Sequence, residues 1–121
     1  MIDHLTLKVR SVARARAFYT AALAPLGYAV VMEFGGGVGM GADGKPDLWL
    51  AEDPANTRPT HVAFVAPSRA AVQAFHAAAL AAGGKDNGGP GVRVDYHPTY
   101  YAAFVLDEDG HNIEAVVHRP E

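Results

Sequence analysis

A chain of 121 residues with a formal net charge of -3, no cysteine and 50% apolar residues is expected to form one domain, 1–121, whose core needs no disulfide or metal to hold it. The absence of Cys excludes disulfide scaffolds, thiolate zinc sites and a cysteine nucleophile, and 13 acids against 10 bases argue against a nucleic-acid partner. No apolar run approaches the ~20 residues of a membrane span, and MIDHLTLKVR has no basic segment ahead of an apolar one, so no membrane partner and, by default, a cytoplasmic location are expected.

HLTLKV alternates, with Leu5, Leu7 and Val9 on one face and His4, Thr6 and Lys8 on the other, which predicts a strand. Ser11 is placed to cap a helix running to about Ala24, with Val12, Ala15, Tyr19, Ala22 and Leu23 as its apolar stripe and Pro25 and Gly27 as its stop. YAVVMEF, GGGVGMG and PDLWLAE read as three short strands, and DPANTRP as a linker. The glycines at 35–37 and 39 do not make a phosphate loop, since no Lys-Ser/Thr and no helix follows them. THVAFVAP then opens a second strand, Ser68 caps a second helix with the stripe Val72, Phe75 and Ala79, and GGKDNGGPG reads as a flexible loop. VRVDY, YYAAFVLD and HNIEAVVH complete the set, with Asp109-Gly110 as a hairpin turn.

A shift of 57 residues superposes His4 on His61, Ser11 on Ser68, Phe18 on Phe75 and Gly27 on Gly84. The chain is therefore read as an α+β fold of two βαβββ modules, 1–53 and 59–121. They form a cupped mixed sheet with helices on the outer face and a concave surface left open. Ala supplies 23 of the apolar residues, which suits helices packed closely on sheet.

His4 and His61 occupy matching positions and lie out of step with the helix-facing apolar set, so both point to the concave surface. Aligning DLWL with NIEA matches Trp49 to Glu114, which places one carboxylate among the two imidazoles. Two His and one carboxylate with open positions suit a divalent ion, Fe, Mn, Ni or Zn. A structural role for each residue is the competing reading.

The opening IDHLTLKV with Ser11 and Phe18-Tyr19, the segment THVAFVA and the closing LDEDGHNIEAV together resemble the vicinal oxygen chelate superfamily of glyoxalases, extradiol dioxygenases and fosfomycin- and bleomycin-resistance proteins. The resemblance implies paired modules around a metal-bearing cup, a homodimer, and a small-molecule substrate. It assigns His4, His61 and Glu114 as metal ligands. Glyoxalase I has a further carboxylate ligand where this chain has Trp49, which argues against lactoylglutathione lyase activity. Similarity to extradiol enzymes suggests His97, with Glu114, as a catalytic group, although the Tyr and Pro of their closing motif are missing. Similarity to bleomycin-resistance proteins suggests a metal-free alternative, with Trp49, Tyr96, Tyr100 and Tyr101 lining a binding groove. Lys8, which shares a face with His4, has a better claim than Arg93 to meet an anionic substrate. His76 reads as a surface residue, His111 as a turn residue, and His118 shares the parity of Glu114.

Overall fold

Each half of the chain folds into a four-stranded mixed sheet backed by a helix, and the two sheets have the same topology. The computed structural model describes residues 1–56 and 58–121; the expected linker DPANTRP includes Thr57, which lies outside the described residues. In chain order the elements are β1 (Leu5–Val9), α1 (Val12–Leu23), a 3-10 turn (Ala24–Leu26), β2 (Ala29–Phe34), β3 (Gly37–Gly41) and β4 (Leu48–Glu52). The second half follows with β5 (His61–Val65), α2 (Arg69–Ala81), β6 (Lys85–Val92), β7 (Tyr101–Leu106) and β8 (Asn112–Val117). The sheets are ordered β1-β4-β3-β2 and β5-β8-β7-β6. In each, the first and last strands of the module pair in parallel, and the other pairings are antiparallel.

The helix starts follow from local chemistry. Ser11 and Ser68 have extended backbones, and their hydroxyl oxygens accept from the N–H of Arg14 and Ala71, satisfying donors left free in a first turn. After α1, Pro25 enters the 3-10 turn and Gly27, at φ 88°, closes it in a left-handed conformation that L side chains avoid. Leu7, Val9, Phe18, Tyr19, Leu23, Leu48 and Leu50 from the first module join Phe64, Val72, Phe75, Val105 and Ile113 from the second in one buried core. The alanines at 15, 22 and 79 are buried in it, where their small side chains let α1 and α2 approach each other.

Two expectations are corrected in the second module. GGKDNGGPG is not a loop: Lys85–Val92 pairs with β7, and register shifts between Asp86 and Gly88 and between Gly88 and Gly91 absorb the glycines and Pro90. Proline lacks a donor, and β6 stands at the edge of its sheet, where that loss is tolerated. VRVDY is not a strand beyond Val92. The chain turns there, with the N–H groups of Tyr96 and His97 donating to Arg93 O and that of Tyr100 to His97 O.

The β7–β8 turn ties the modules together. The carboxylate of Asp107 accepts from the backbone N–H of Asp109 and His111 and, at 2.5 Å, from the hydroxyl of Tyr19 on α1. Arg10 donates to Asp109 at 2.6 Å and to the Glu108 carbonyl, while Arg14 pairs with Glu108. His111 Nε2 lies 2.8 Å from the carbonyl of Lys8 on β1, and His111 Nδ1 accepts from the N–H of Thr60. His111 is therefore more than a turn residue: it is 1% exposed and bridges the modules. Removing the Tyr19 hydroxyl leaves one lone pair of a buried carboxylate without its donor. Tyr19→Phe is expected to cost about 1–3 kcal/mol in urea unfolding, with the slope of the transition unchanged.

Candidate functional site

Strand parity divides each sheet into a face packed on its helix and an open face. On β5, Phe64 is buried while His61, Ala63 and Val65 are exposed. The register pairs Ala63 with Glu114, and Glu114 with Phe104 across β7, so His61, Glu114 and Phe104 share the open face of the second sheet. On β1, Leu7 and Val9 are buried and Thr6 and Lys8 exposed. Thr6 pairs with Trp49 and Trp49 with Gly39, which sets the open face of the first sheet.

The centre of the second face is an acid–imidazole pair. His61 Nε2 lies 3.0 Å from Glu114 Oε1, and His61 Nδ1 lies 2.9 Å from the carbonyl of Asn112. A carbonyl only accepts, so Nδ1 carries the proton that it donates there. Nε2 then faces a carboxylate oxygen, and that contact is favourable only with a positive charge between or on the two groups: a proton on Nε2 or a cation bound by both. Two ligand atoms at about 2.1 Å from one ion and at right angles stand about 3.0 Å apart, so the pair fits neighbouring ligands of a divalent metal. The other oxygen, Oε2, accepts from the hydroxyl of Tyr100, which fixes the carboxylate, itself 2% exposed.

Rings continue from this pair in both directions. Phe104 lies 6.2 Å from His61, His118 stands edge-on to Tyr100 at 5.0 Å, and Tyr96 lies 5.1 Å from Tyr100. His97 is one ring further out, 6.4 Å from His118, and its Nδ1 accepts from Thr99. His118 therefore stands between His97 and Tyr100 in this series of rings. Tyr101 departs from its expected role. It turns to the helix layer, where its hydroxyl accepts from Gln73 and Arg69 stacks on its ring. Its odd position on a strand whose even residues face the site is the reason. His76 is also corrected, being half-buried against Asp86 at 3.0 Å rather than a free surface residue.

The first face is built differently. His4 precedes β1, and its Nδ1 is 2.7 Å from Asp3. With Thr6, Trp49, Phe34 and the glycines at 35–37 it lines a cleft of about 540 Å³. Trp49 occupies the register position that Glu114 holds in the second module, and Gly39 stands where the second module has Phe104. A Cβ at Gly39 would be 3.0 Å from the indole, so the alternating glycines of β3 let the ring lie flat. Lys8 belongs to this face, not to the one with Glu114. Within one chain His4 does not join His61 and Glu114: among the described residues, the one group of three metal-ligating side chains with all ligand atoms within 4.8 Å is Asp107, Asp109 and His111. That group is the inter-module turn. Its histidine donates from Nε2 and accepts at Nδ1, which leaves no lone pair for an ion.

The family model of the Glyoxalase/Bleomycin resistance protein/Dioxygenase superfamily matches residues 1–115. A crystal structure of a glyoxalase/bleomycin resistance protein from Albidiferax ferrireducens T118 is similar to the chain at 26% identity and TM-score 0.82, covering 98% of both chains. A family enzyme from Burkholderia phytofirmans PsJN (16% identity, TM-score 0.77, 98% of both) shares the fold. So does the structure titled lactoylglutathione lyase from Agrobacterium tumefaciens (17%, TM-score 0.71, 96% of this chain and 92% of that one). No curated protein matches the chain.

Burial, and then the Glu114 carboxylate, push the Tyr100 phenol up to about 12 from an ordinary 10.0. A phenol that holds its proton more tightly when folded stabilises the fold below pH 10, and that contribution is lost as pH rises from 10 towards 12. Tyr100→Phe is expected to flatten the fall in stability across that range and to remove a phenol titrating near 12 from the absorbance curve at about 295 nm.

Proposed function

The chain belongs to the glyoxalase/bleomycin resistance protein/dioxygenase superfamily, and on that premise we propose that it is a metal-dependent enzyme acting on a small molecule. The observation that carries this reading is the approach of His61 Nε2 to Glu114 Oε1 at 3.0 Å, with Nδ1 already committed to Asn112. His61 and Glu114 would hold the ion with His4, and Fe, Mn, Ni and Zn all suit that donor set. Such an ion supplies Lewis acidity, polarising neighbouring oxygens of a bound substrate.

The residues of the chain do the rest. Tyr100 keeps its proton and orients Glu114 through Oε2, leaving Oε1 for the ion. Tyr96, against Tyr100, and the flat indole of Trp49 offer apolar contact to a substrate, and Lys8 offers charge. His97, beside His118, is the acid–base candidate. Tyr101 has no part in this arrangement, since it faces the helices. The reaction is of the lyase, isomerase or dioxygenase type. Trp49 in place of a fourth ligand carboxylate argues against lactoylglutathione lyase.

His4 and the Glu114 pair lie on different sheets whose open faces carry exposed Met32, Phe34 and Val65. The reading therefore includes a homodimer in which His4 of one copy completes the site of the other. A second reading, metal-free binding of a small apolar molecule, is favoured by the cleft under Phe34 and Trp49.

Purified protein is expected to retain about one ion per chain and to lose it in His61→Ala or Glu114→Gln, by elemental analysis. Metal-free His4→Ala and His61→Ala chains, each unable to bind, are expected on mixing to regain about one site per mixed dimer, or about one site per two dimers after random exchange, because one of the two shared sites of a mixed dimer is intact. A single-chain site would regain none. Failure of the wild type to hold any of the four metals after reconstitution would leave the metal-free reading.

A further inference from the structure

We propose that Arg93 forms an anion subsite on the open face of the second sheet, which takes a carboxylate or phosphoryl group of the small molecule bound at His61 and Glu114. The proposal rests on the reading above only in placing a ligand at that pair.

Arg93 follows β6. Its backbone N–H donates to the carbonyl of Tyr100 at 2.7 Å, one step beyond the pairing of Val92 with Tyr101. Residues opposed in this way share a face, so the Arg93 side chain lies on the side of Tyr100, Phe104 and Glu114. Its guanidinium is held flat. Nη1 donates to the carbonyl of Gly91 at 2.8 Å, Nη2 to that of Gly89 at 2.7 Å, and Cζ is 5.3 Å from the centre of the Phe104 ring. The other side of this contact series is His61, whose ring is 6.2 Å from that of Phe104.

The glycines of β6 make this placement possible. A Cβ at Gly88 would stand 3.1 Å from Nη2, and one at Gly91 would stand 3.2 Å from Nη1. A side chain at either position would press on the guanidinium and shift it from this placement. The Gly-rich segment, expected from sequence to be a flexible loop, thus works as a cradle for a cation.

Carbonyl oxygens orient the guanidinium without cancelling its charge. Arg10, Arg14 and Arg16 each meet a carboxylate within 2.8 Å. Arg93, half-buried, meets none among the described residues. Two of its five N–H donors are used inside the protein, and the remainder keep the planar fork that matches the paired oxygens of a carboxylate or phosphoryl group. A cation held rigid before binding loses little freedom when a ligand arrives. Sequence favoured Lys8 for this role, but Lys8 lies on the other sheet, whereas Arg93 stands on the face that holds the acid–imidazole pair.

The test uses the full chain freed of metal by a chelator, titrated at constant ionic strength with malonate, methylphosphonate and neutral malonamide. Binding is followed by calorimetry and by NMR of the His61 ring. One or both anions are expected to bind and to shift the His61 signals, the tighter of the two showing which group the site takes, while malonamide does neither. Arg93→Gln is expected to weaken anion binding at least tenfold, Arg93→Lys to retain part of it, and Gly91→Ala to weaken it by displacing the guanidinium. Equal anion affinity in the wild type and a folded Arg93→Gln variant, or equal binding of malonate and malonamide, overturns the subsite. Metal uptake by Arg93→Gln, measured separately, keeps the two ideas apart. Arg93-dependent anion binding in a chain that holds no metal retains the subsite and removes the metal centre; a normal metal content with Arg93-independent binding does the reverse.

Discussion

The carboxylate of Asp107 is buried where it can only be kept if every lone pair facing the interior finds a donor. Two backbone N–H groups of its own turn and the hydroxyl of Tyr19 supply those donors, and the last of them comes from the other module. Satisfying this one charge therefore fixes α1 against the β7–β8 turn. His111 adds a second constraint of the same kind, since its two nitrogens hold Thr60 and the Lys8 carbonyl on opposite sides of the ring. With α1 and the end of β1 anchored there, the helices pack together and each sheet keeps its non-helical face turned outward. The separation of His4 from Glu114 within a chain follows from how the modules are clamped.

Against that shared frame, the two modules have diverged at one register position. Where β8 presents Glu114 beside a cross-strand Phe104, β4 presents Trp49 beside Gly39. The exchange is reciprocal: a small acid next to a large ring in one sheet, a large ring next to no side chain in the other. Only one of the two faces carries a carboxylate at this register position. A site assembled from both faces would have a polar, ligating wall and an aromatic wall, which is the asymmetry a small molecule with vicinal oxygens at one end would use.

Period-2 alternation and the 57-residue repeat make the helix caps of both modules, and every strand except β6, legible in the sequence. The pairing of Trp49 with Glu114 across the repeat was equally legible, and the register agrees with it. What escaped was carried by backbone rather than by side chains. Glycine and proline in Lys85–Val92 looked like a loop because local preference says so; bulges and an edge position let tertiary pairing override it. Tyr101 follows Tyr100 in sequence and shares its chemistry, yet strand alternation sends the two to opposite faces. The role of His111 has no local signature at all. Its partners are a carbonyl 103 positions away and an amide 51 positions away, and nothing in a linear pattern marks a backbone acceptor.

The bulges have a consequence for how the sheets end. Register shifts occur in β2 and β6, the outer strands of the two sheets, and β6 adds a proline; the opposite edges, β1 and β5, are short, regular and free of both. Interrupted edges resist the addition of a further strand, whereas regular ones accept it. Addition of a strand by backbone pairing is thus disfavoured at β2 and β6, whereas β1 and β5 keep an uninterrupted backbone edge beside the segments that carry His4 and His61.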